Sequence, residues 1–252
     1  SLLSFSLIAS GCVDEMSGTT PSVVSKENVR QQNAVNTSEL AKKLQQRKTI
    51  NIFSPWNNYK SIQKYGLHWT ASPTLSVNTI SLTEVYWNYH YVGKSWSYYS
   101  GIEKYLTNRN WNHDAEYGKT LATQTTNPDF QNFITGVIQE KTMRKSVDGV
   151  MLDWWHDNHK SSGYSESQVR AARIAIAKKI RAKTGNNKII LGNVNWRKDA
   201  ATANLINGVF LELYKKPYDS ASSRLYTSSE LAEIEKLVEF YELNLAEPKL
   251  IA

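Results

Sequence analysis

From Thr49 onward, short apolar runs alternate with segments of helical periodicity, and few folds accommodate that alternation. A strand that is apolar on one face can lie at a surface. A strand apolar on both faces must be covered on both, which points to a parallel sheet flanked by helices. The strand candidates are "INIFSP" (50–55), "GLHWTASP" (66–73), "GVMLDW" (149–154), "KIILGNVN" (188–195), "GVFLELY" (208–214) and "PKLIA" (248–252). Helical patterns separate the later ones. "NPDFQNFITGVIQEKTMRK" places Pro128 in a first turn behind Asn127, with Phe130, Phe133, Ile134 and Val137 on one face. "YSESQVRAARIAIAKKIRAKTG" opens on a capping box, Ser165 with Gln168, and carries the stripe Val169, Ala172, Ile176 and Ile180. It stops at Gly185. "DAATANLIN" reads as a short helix, and "TSSELAEIEKLVEFYELN" as a long one with a second box, Thr227 with Glu230. Between residues 74 and 126 the periodicity places no third strand.

Two architectures satisfy this order, a doubly wound sheet and a (β/α)8 barrel. No Gly-rich phosphate loop follows any strand, so the nucleotide-binding sheet loses its main support. The expected fold class is therefore α/β, a (β/α)8 TIM-type barrel over residues 47–252. The chain ends inside what counts as the seventh strand, so the barrel is expected to be incomplete at its C-terminus. With 8 Trp, 14 Tyr and 40% hydrophobic residues in 252, the chain can fill such a core.

Charge narrows the partners. The 30 basic and 23 acidic residues leave a net +7, but the basic residues are scattered along helices rather than grouped, which speaks against nucleic acid. The single cysteine excludes an intrachain disulfide. It ends the run "SLLSFSLIASGC", in which residues 1–11 resemble the remnant of a bacterial lipoprotein signal peptide. That resemblance implies a lipidated Cys12 and a membrane anchor. The run is too short to span a bilayer as a helix. Residues 12–46 are polar and largely aperiodic, the composition of a flexible tether, with a short helix around "SELAKKLQQR" near its end. The expected location is the cell envelope, lipid-anchored on its periplasmic or extracellular face.

Candidate chemistry comes from two segments that share a pattern. "DGVMLDWW" and "NGVFLELY" each run from a turn residue through Gly and Val to a carboxylate, with equal offsets from Gly149 to Asp153 and from Gly208 to Glu212. In a parallel barrel the strand's C-terminal end faces the chemistry. Asp148 and Asn207 then belong to turns at the bottom, while Asp153 and Glu212 leave their strands at the top. Paired carboxylates suit glycosidic bond cleavage, one protonating the leaving oxygen and the other attacking or stabilising the cationic sugar carbon. Trp154 and Trp155 beside Asp153, or Leu213 and Tyr214 beside Glu212, offer the apolar wall that keeps a carboxyl protonated.

Aromatic rings extend the argument, because sugar C–H faces pack on indole and phenol rings. Trp56 follows the first strand, Trp196 follows "LGNVN", and "EVYWNYHYVGKSWSYY" (84–99) interleaves rings with polar groups. The expected substrate-binding set is Trp56, Glu84, Trp87, Trp154, Trp155, His156, Asn193, Asn195 and Trp196, with no cofactor and no metal.

The run "SVDGVMLDWW", with the helix before it and "LGNV" and "GVFLELY" after it, resembles the glycosyl-hydrolase-like barrel families of bacteria across roughly residues 50–252. The resemblance implies a (β/α)8 barrel acting on a poly- or oligosaccharide. An aspartate on strand four with an acid on strand six is similar to the α-galactosidase clan. That likeness implies Asp153 as nucleophile and Glu212 as acid/base, although the clan usually has Asp at the second position. Two rivals remain open. A metal-dependent polysaccharide deacetylase would use His156 and His159 of "DWWHDNH" as ligands, but the paired aspartates it needs are missing from "INIFSPWNN". A non-catalytic carbohydrate-binding lipoprotein would keep the rings and need neither acid. A Ser-His-Asp hydrolase lacks its G-x-S-x-G elbow.

Overall fold

The computed structural model describes residues 40, 42–44, 50–52, 65–70, 73, 78–111, 118–144, 147–157, 162–213 and 226–252. Cys12, Trp56, His159 and nearly all of the expected tether lie outside the described residues.

The strands in chain order are β1 (Ile50–Ile52), β2 (Leu67–Thr70), β3 (Ile80–Val85), β4 (Tyr89–Tyr91), β5 (Leu106–Asn110), β6 (Thr120–Thr123), β7 (Gly149–Leu152), β8 (Ile189–Asn193), β9 (Gly208–Phe210) and β10 (Leu250–Ile251). The helices are α1 (Pro128–Thr142), α2 (Glu166–Thr184) and α3 (Ser228–Asn244). Among the described residues, seven strands form one parallel sheet in the order β1-β2-β3-β7-β8-β9-β10. The sheet is curled, and β1 does not pair with β10. This is the open form of a (β/α) barrel.

The six strand candidates all fall in this sheet, and the three long helices form where their periodicity places them. Both capping boxes are present, Ser165 with Gln168 and Thr227 with Glu230. Asn127 caps α1 by accepting from the Asp129 amide. "DAATANLIN" shortens to a single 3-10 turn at Ala203–Leu205. The strand that periodicity did not place is β3, "ISLTEV". After it the chain makes an excursion, the three-stranded antiparallel sheet β4-β6-β5.

Alternation along each strand sorts side chains between two faces. Leu67, Trp69, Ile80, Leu82, Met151, Ile189 and Leu191, with Phe210 and Leu250, form the interior of the curl. Val85, Val150, Leu152, Ile190 and Val209 face outward into a second cluster. There they meet Phe130, Ile134 and Ile138 of α1, Val169, Ile176 and Ile180 of α2, and Leu237 and Tyr241 of α3. The equal offset in the two repeated segments follows from this geometry. Gly149, Met151 and Asp153 occupy one face at i, i+2 and i+4, as do Gly208, Phe210 and Glu212. Gly149 is required by close approach, since a Cβ there would lie 2.0 Å from the Ile189 carbonyl oxygen. Below the sheet, Asp148 accepts from Lys43 Nζ at 2.8 Å and from the Ser81 amide at 2.8 Å, a structural role at the bottom face.

Candidate active site

On β3, β7, β8 and β9, the first polar interior group beyond the apolar filling is Glu84, Asp153, Asn193 and Glu212 respectively. The pairing registers, however, are not level. Glu84 pairs with Met151, whereas Asn193 pairs with Phe210. Asp153 and Glu212 therefore each stand one interior position higher than the group on the strand before β7 or β9. Such stagger is what a tilted, curled sheet imposes on its neighbours. It brings Asp153, Asn193 and Glu212 together at the C-terminal end of the strands, with Glu84 beside Asp153 and one interior position lower.

Asn193 joins the two expected carboxylates. Its Nδ2 donates to Asp153 Oδ1 at 2.9 Å and to Glu212 Oε2 at 2.9 Å. The amide is oriented by the Asn195 backbone N–H, which donates to Asn193 Oδ1 at 3.2 Å and so turns the NH2 group toward the acids. Two contacts of 2.9 Å to one nitrogen limit the separation of those oxygens to twice that length, 5.8 Å. With the two N–H bonds of a planar amide roughly 120° apart, the separation is about 5 Å.

Asp153 is 8% exposed, and its second oxygen accepts from the Tyr89 hydroxyl at 2.7 Å. Tyr86, Tyr89, Tyr91 and Trp111 pack together beside it with Trp154 at their edge; Tyr89 stacks on Trp111 with centroids 5.2 Å apart. Burial, and then the neighbouring carboxylates, hold the Tyr86 and Tyr89 hydroxyls far above the usual phenol range, so both act as donors. Glu84 is 5% exposed and is hydrogen-bonded by Tyr86. Burial first, and the Asp153 charge second, push its carboxyl up to about 8.

The remaining expected residues divide into two groups. Trp154, Asn195 and Trp196 are partly exposed near the strand ends, and Trp196 packs edge-on against Tyr226 at 5.9 Å. Trp154 meets Trp111 at 6.0 Å and His156 at 5.2 Å, with His156 itself buried. Trp87 and Trp155 are a correction. Both are 0% exposed, lie in the helix-facing core and pack edge to face with centroids 5.0 Å apart, so neither presents a ring to a ligand. The cause is backbone geometry. Trp154 adopts φ 51, a left-handed conformation rare for a bulky residue, and this turn sends Trp155 outward to the helices. Trp87 still supports the site, because its Nε1 donates to the Asp153 carbonyl at 2.7 Å.

One feature was not foreseen from sequence. Arg173, on the buried stripe of α2, donates through Nη1 to Asp199 at 2.7 Å and to the Trp155 carbonyl at 3.2 Å, and it also pairs with Asp157. An arginine at a core-facing helical position was the available signal. Beside it, a cavity of about 580 Å³ is lined by His156, Arg170, Arg173, Arg197 and Asp199. It contains neither Asp153 nor Glu212, and two of its arginines, Arg170 and Arg173, are occupied by structural ion pairs at Asp157 and Asp199. Among the described residues no group of three or more His, Cys, Asp and Glu is arranged to hold a metal ion.

The curled parallel sheet is a fold also found in glycoside hydrolase domains. The chain is similar to the glycoside hydrolase domain of PelA from Pseudomonas aeruginosa, with a TM-score of 0.58 and 9% identity over 81% of each chain. A variant of that PelA domain aligns with the same score, identity and coverage. The chitinase domain of the spore coat protein CotE from Clostridium difficile aligns with a TM-score of 0.47 and 11% identity, over 81% of this chain and 64% of that one. No family model and no curated protein sequence matches the chain.

Proposed function

We propose that the chain hydrolyses glycosidic bonds of a poly- or oligosaccharide, with Asp153 as nucleophile and Glu212 as general acid/base. The observation that carries this reading is the shared Asn193 amide, which bonds one oxygen of each carboxylate and so brings those two oxygens to about 5 Å from each other. That spacing matches the range of about 5–5.5 Å at which the second carboxyl attacks the anomeric carbon directly, with net retention. Inversion needs about 6.5–9.5 Å, to admit a water between acid and base. The fold likeness to glycoside hydrolase domains supports the same reading, and the partly exposed ring of Trp154, next after Asp153, is available to a sugar face.

In this scheme Asp153 attacks the anomeric carbon while Glu212 protonates the departing oxygen. Glu212 then deprotonates the water that releases the glycosyl group. Tyr89 and Asn193 hold the Asp153 oxygens in place for the attack. The test is turnover of a panel of soluble polysaccharides and of aryl α- and β-glycosides. Asp153→Asn and Glu212→Gln are each expected to lose about 10²–10⁴-fold in kcat/KM on a polysaccharide that the wild type cleaves. Equal, nonzero turnover in all three proteins would overturn the assignment. Binding without turnover in any of them would favour the non-catalytic rival.

Location rests on sequence alone. We place Cys12 as a lipidated residue at the membrane surface, and no helix among the described residues is long and apolar enough to cross a membrane. Fatty-acid labelling of the full chain, lost in Cys12→Ala, is the expected result; labelling that persists in the variant would remove the anchor.

A further inference from the structure

The cavity beside Arg173 is walled by the segment after β7 (His156 and Asp157), the segment after β8 (Arg197 to Ala201) and the first turns of α2 (Glu166, Arg170 and Arg173). It therefore lies at the same end of the sheet as the acids, on the two strands that position Asp153 and Asn193. Three peptide links separate Asp153 from His156, which keeps their Cα atoms within about 11 Å. The partly exposed Trp154 ring, next after Asp153, has its centroid 5.2 Å from that of His156. The charges on the wall fall into two sets. Arg173, 1% exposed, is neutralised by Asp199 and Asp157, and Asp157 also accepts from Arg170 Nε at 2.6 Å. That set ties the fold together. Arg197 and Lys198 do not belong to it. Both are exposed, and no ion pair among the described residues reaches either. Lys198 is held over the Phe240 ring, its Nζ 4.4 Å from the centroid. Arg170 uses only Nε on Asp157, which leaves Nη1 and Nη2 open toward the cavity mouth. The one lining acid outside the paired set is Glu166.

We propose that this cavity is a subsite for an anionic substituent of the glycan, a uronate carboxylate or a sulfate ester, carried by a sugar unit near the one that Asp153 attacks. This rests on the hydrolase reading above and names its substrate class, an acidic polysaccharide. Planar guanidinium groups match the paired oxygens of such substituents. Arg170 and Arg197 approach from two different elements, α2 and the segment after β8, and Lys198 adds a point charge fixed by its aromatic support. A cavity with an excess of one sign concentrates that field on whatever enters it. The fold accounts for Arg173, Asp157 and Asp199 without a ligand. It gives Arg197 no partner, and an oxyanion in the cavity does.

The test measures binding by titration calorimetry in full-length Asp153→Asn, so that the ligand is not consumed, at about 0.15 M salt to screen long-range attraction. The probes are oligosaccharides of galacturonate, hyaluronan and chondroitin sulfate, each beside its carboxyl-reduced and desulfated neutral form, with inorganic sulfate as a free anion. At least one acidic probe is expected to bind about tenfold more tightly than its neutral form. Adding Arg197→Gln and Lys198→Gln, both at exposed positions, should abolish that difference. Adding Lys178→Gln and Lys183→Gln instead should preserve it, because these exposed residues of α2 carry the same charge outside the cavity. The proposal fails if no acidic probe is preferred, or if both double variants lose the preference equally, which would mark attraction to net charge alone. It also fails if inorganic sulfate binds as tightly as the acidic probes, since the cavity then holds a free ion. Turnover separates these results from the hydrolase reading. With Asp153 intact, Arg197→Gln with Lys198→Gln should lower kcat/KM on an acidic substrate about tenfold, through KM. Cleavage of glycans without cavity-dependent binding keeps the hydrolase and removes the subsite. Cavity-dependent binding with no cleavage of any probe keeps the subsite and removes the hydrolase.

Discussion

Asn193 is where residue chemistry decides how close the two acids stand. Carboxylates held about 5 Å apart repel each other unless a donor sits between them, and one NH2 group supplies both of its hydrogens to that task. Asn193→Ala removes two hydrogen bonds to charged acceptors, each worth about 1.5–3 kcal/mol. A loss of about 10²-fold in kcat/KM is expected, with far-UV circular dichroism unchanged; activity within twofold of wild type would show that the amide does not set the spacing. Glu84 makes a separate prediction that depends on folding alone. Its native pKa stands near 8 against an ordinary 4.5, so the native state holds a proton that the unfolded chain releases. Stability is therefore full below about pH 4.5 and declines as pH rises toward 8, because the unfolded state then binds fewer protons than the native one. Glu84→Gln is free of that loss. Relative to wild type it should gain on the order of a few kcal/mol between about pH 5 and 8, read from urea midpoints at a series of pH values. A constant difference across that range would contradict it.

At the scale of elements, legibility tracked chemistry that the sequence writes locally. The helices carried their caps and stripes in the text, and "GVMLDW", "KIILGNVN" and "GVFLELY" carried continuous apolar runs, so both were readable. β3 was not. Ser81 and Thr83 on its outer face and Glu84 inside are all buried, yet as letters they resemble a polar loop. The rings of residues 84–99 misled for a related reason. Interleaved aromatic and polar residues suit a sugar platform, and they equally suit a small antiparallel sheet whose tyrosines pack on one another. Only the backbone turn at Trp154 decides that Trp155 faces the helices, and no local pattern announces a left-handed tryptophan. Arg173 is the tie between elements that the stripe concealed. It is 1% exposed and links α2 to Asp157 after β7 and to Asp199 after β8. Arg173→Ala leaves two carboxylates without their shared cation, one of them fully buried, and should cost about 3–5 kcal/mol in urea denaturation. A cost under about 1 kcal/mol would mean that the network is dispensable to the fold.

Across the whole molecule, a stagger between neighbouring strands turns a linear offset into a shared pocket. The step from Glu84 to Asp153 and the step from Asn193 to Glu212 each rise by one interior position, as strand tilt in a curled sheet demands. A flat sheet would spread the same groups along a line about 4.8 Å per strand wide, and β7 and β9 would stand two spacings apart. Curling the sheet toward its interior closes that gap enough for one amide to reach both acids, so the spacing of the two bonded oxygens is a property of the entire sheet. It makes a prediction about the intact protein. If Asp153 attacks directly, a fluorinated glycoside whose deglycosylation is slow should leave one glycosyl group bound, seen as a single mass increment on the full chain. The increment should vanish in Asp153→Asn, and peptide mapping should place it within residues 147–157. In Glu212→Gln it should still form with an activated donor, a fluorinated sugar bearing fluoride or dinitrophenolate at the anomeric carbon, whose leaving group needs no proton, because the nucleophile is untouched. A wild-type enzyme that turns over its substrate but never carries the increment, and releases the opposite anomer, would require a water between the acids and a wider site than this sheet builds.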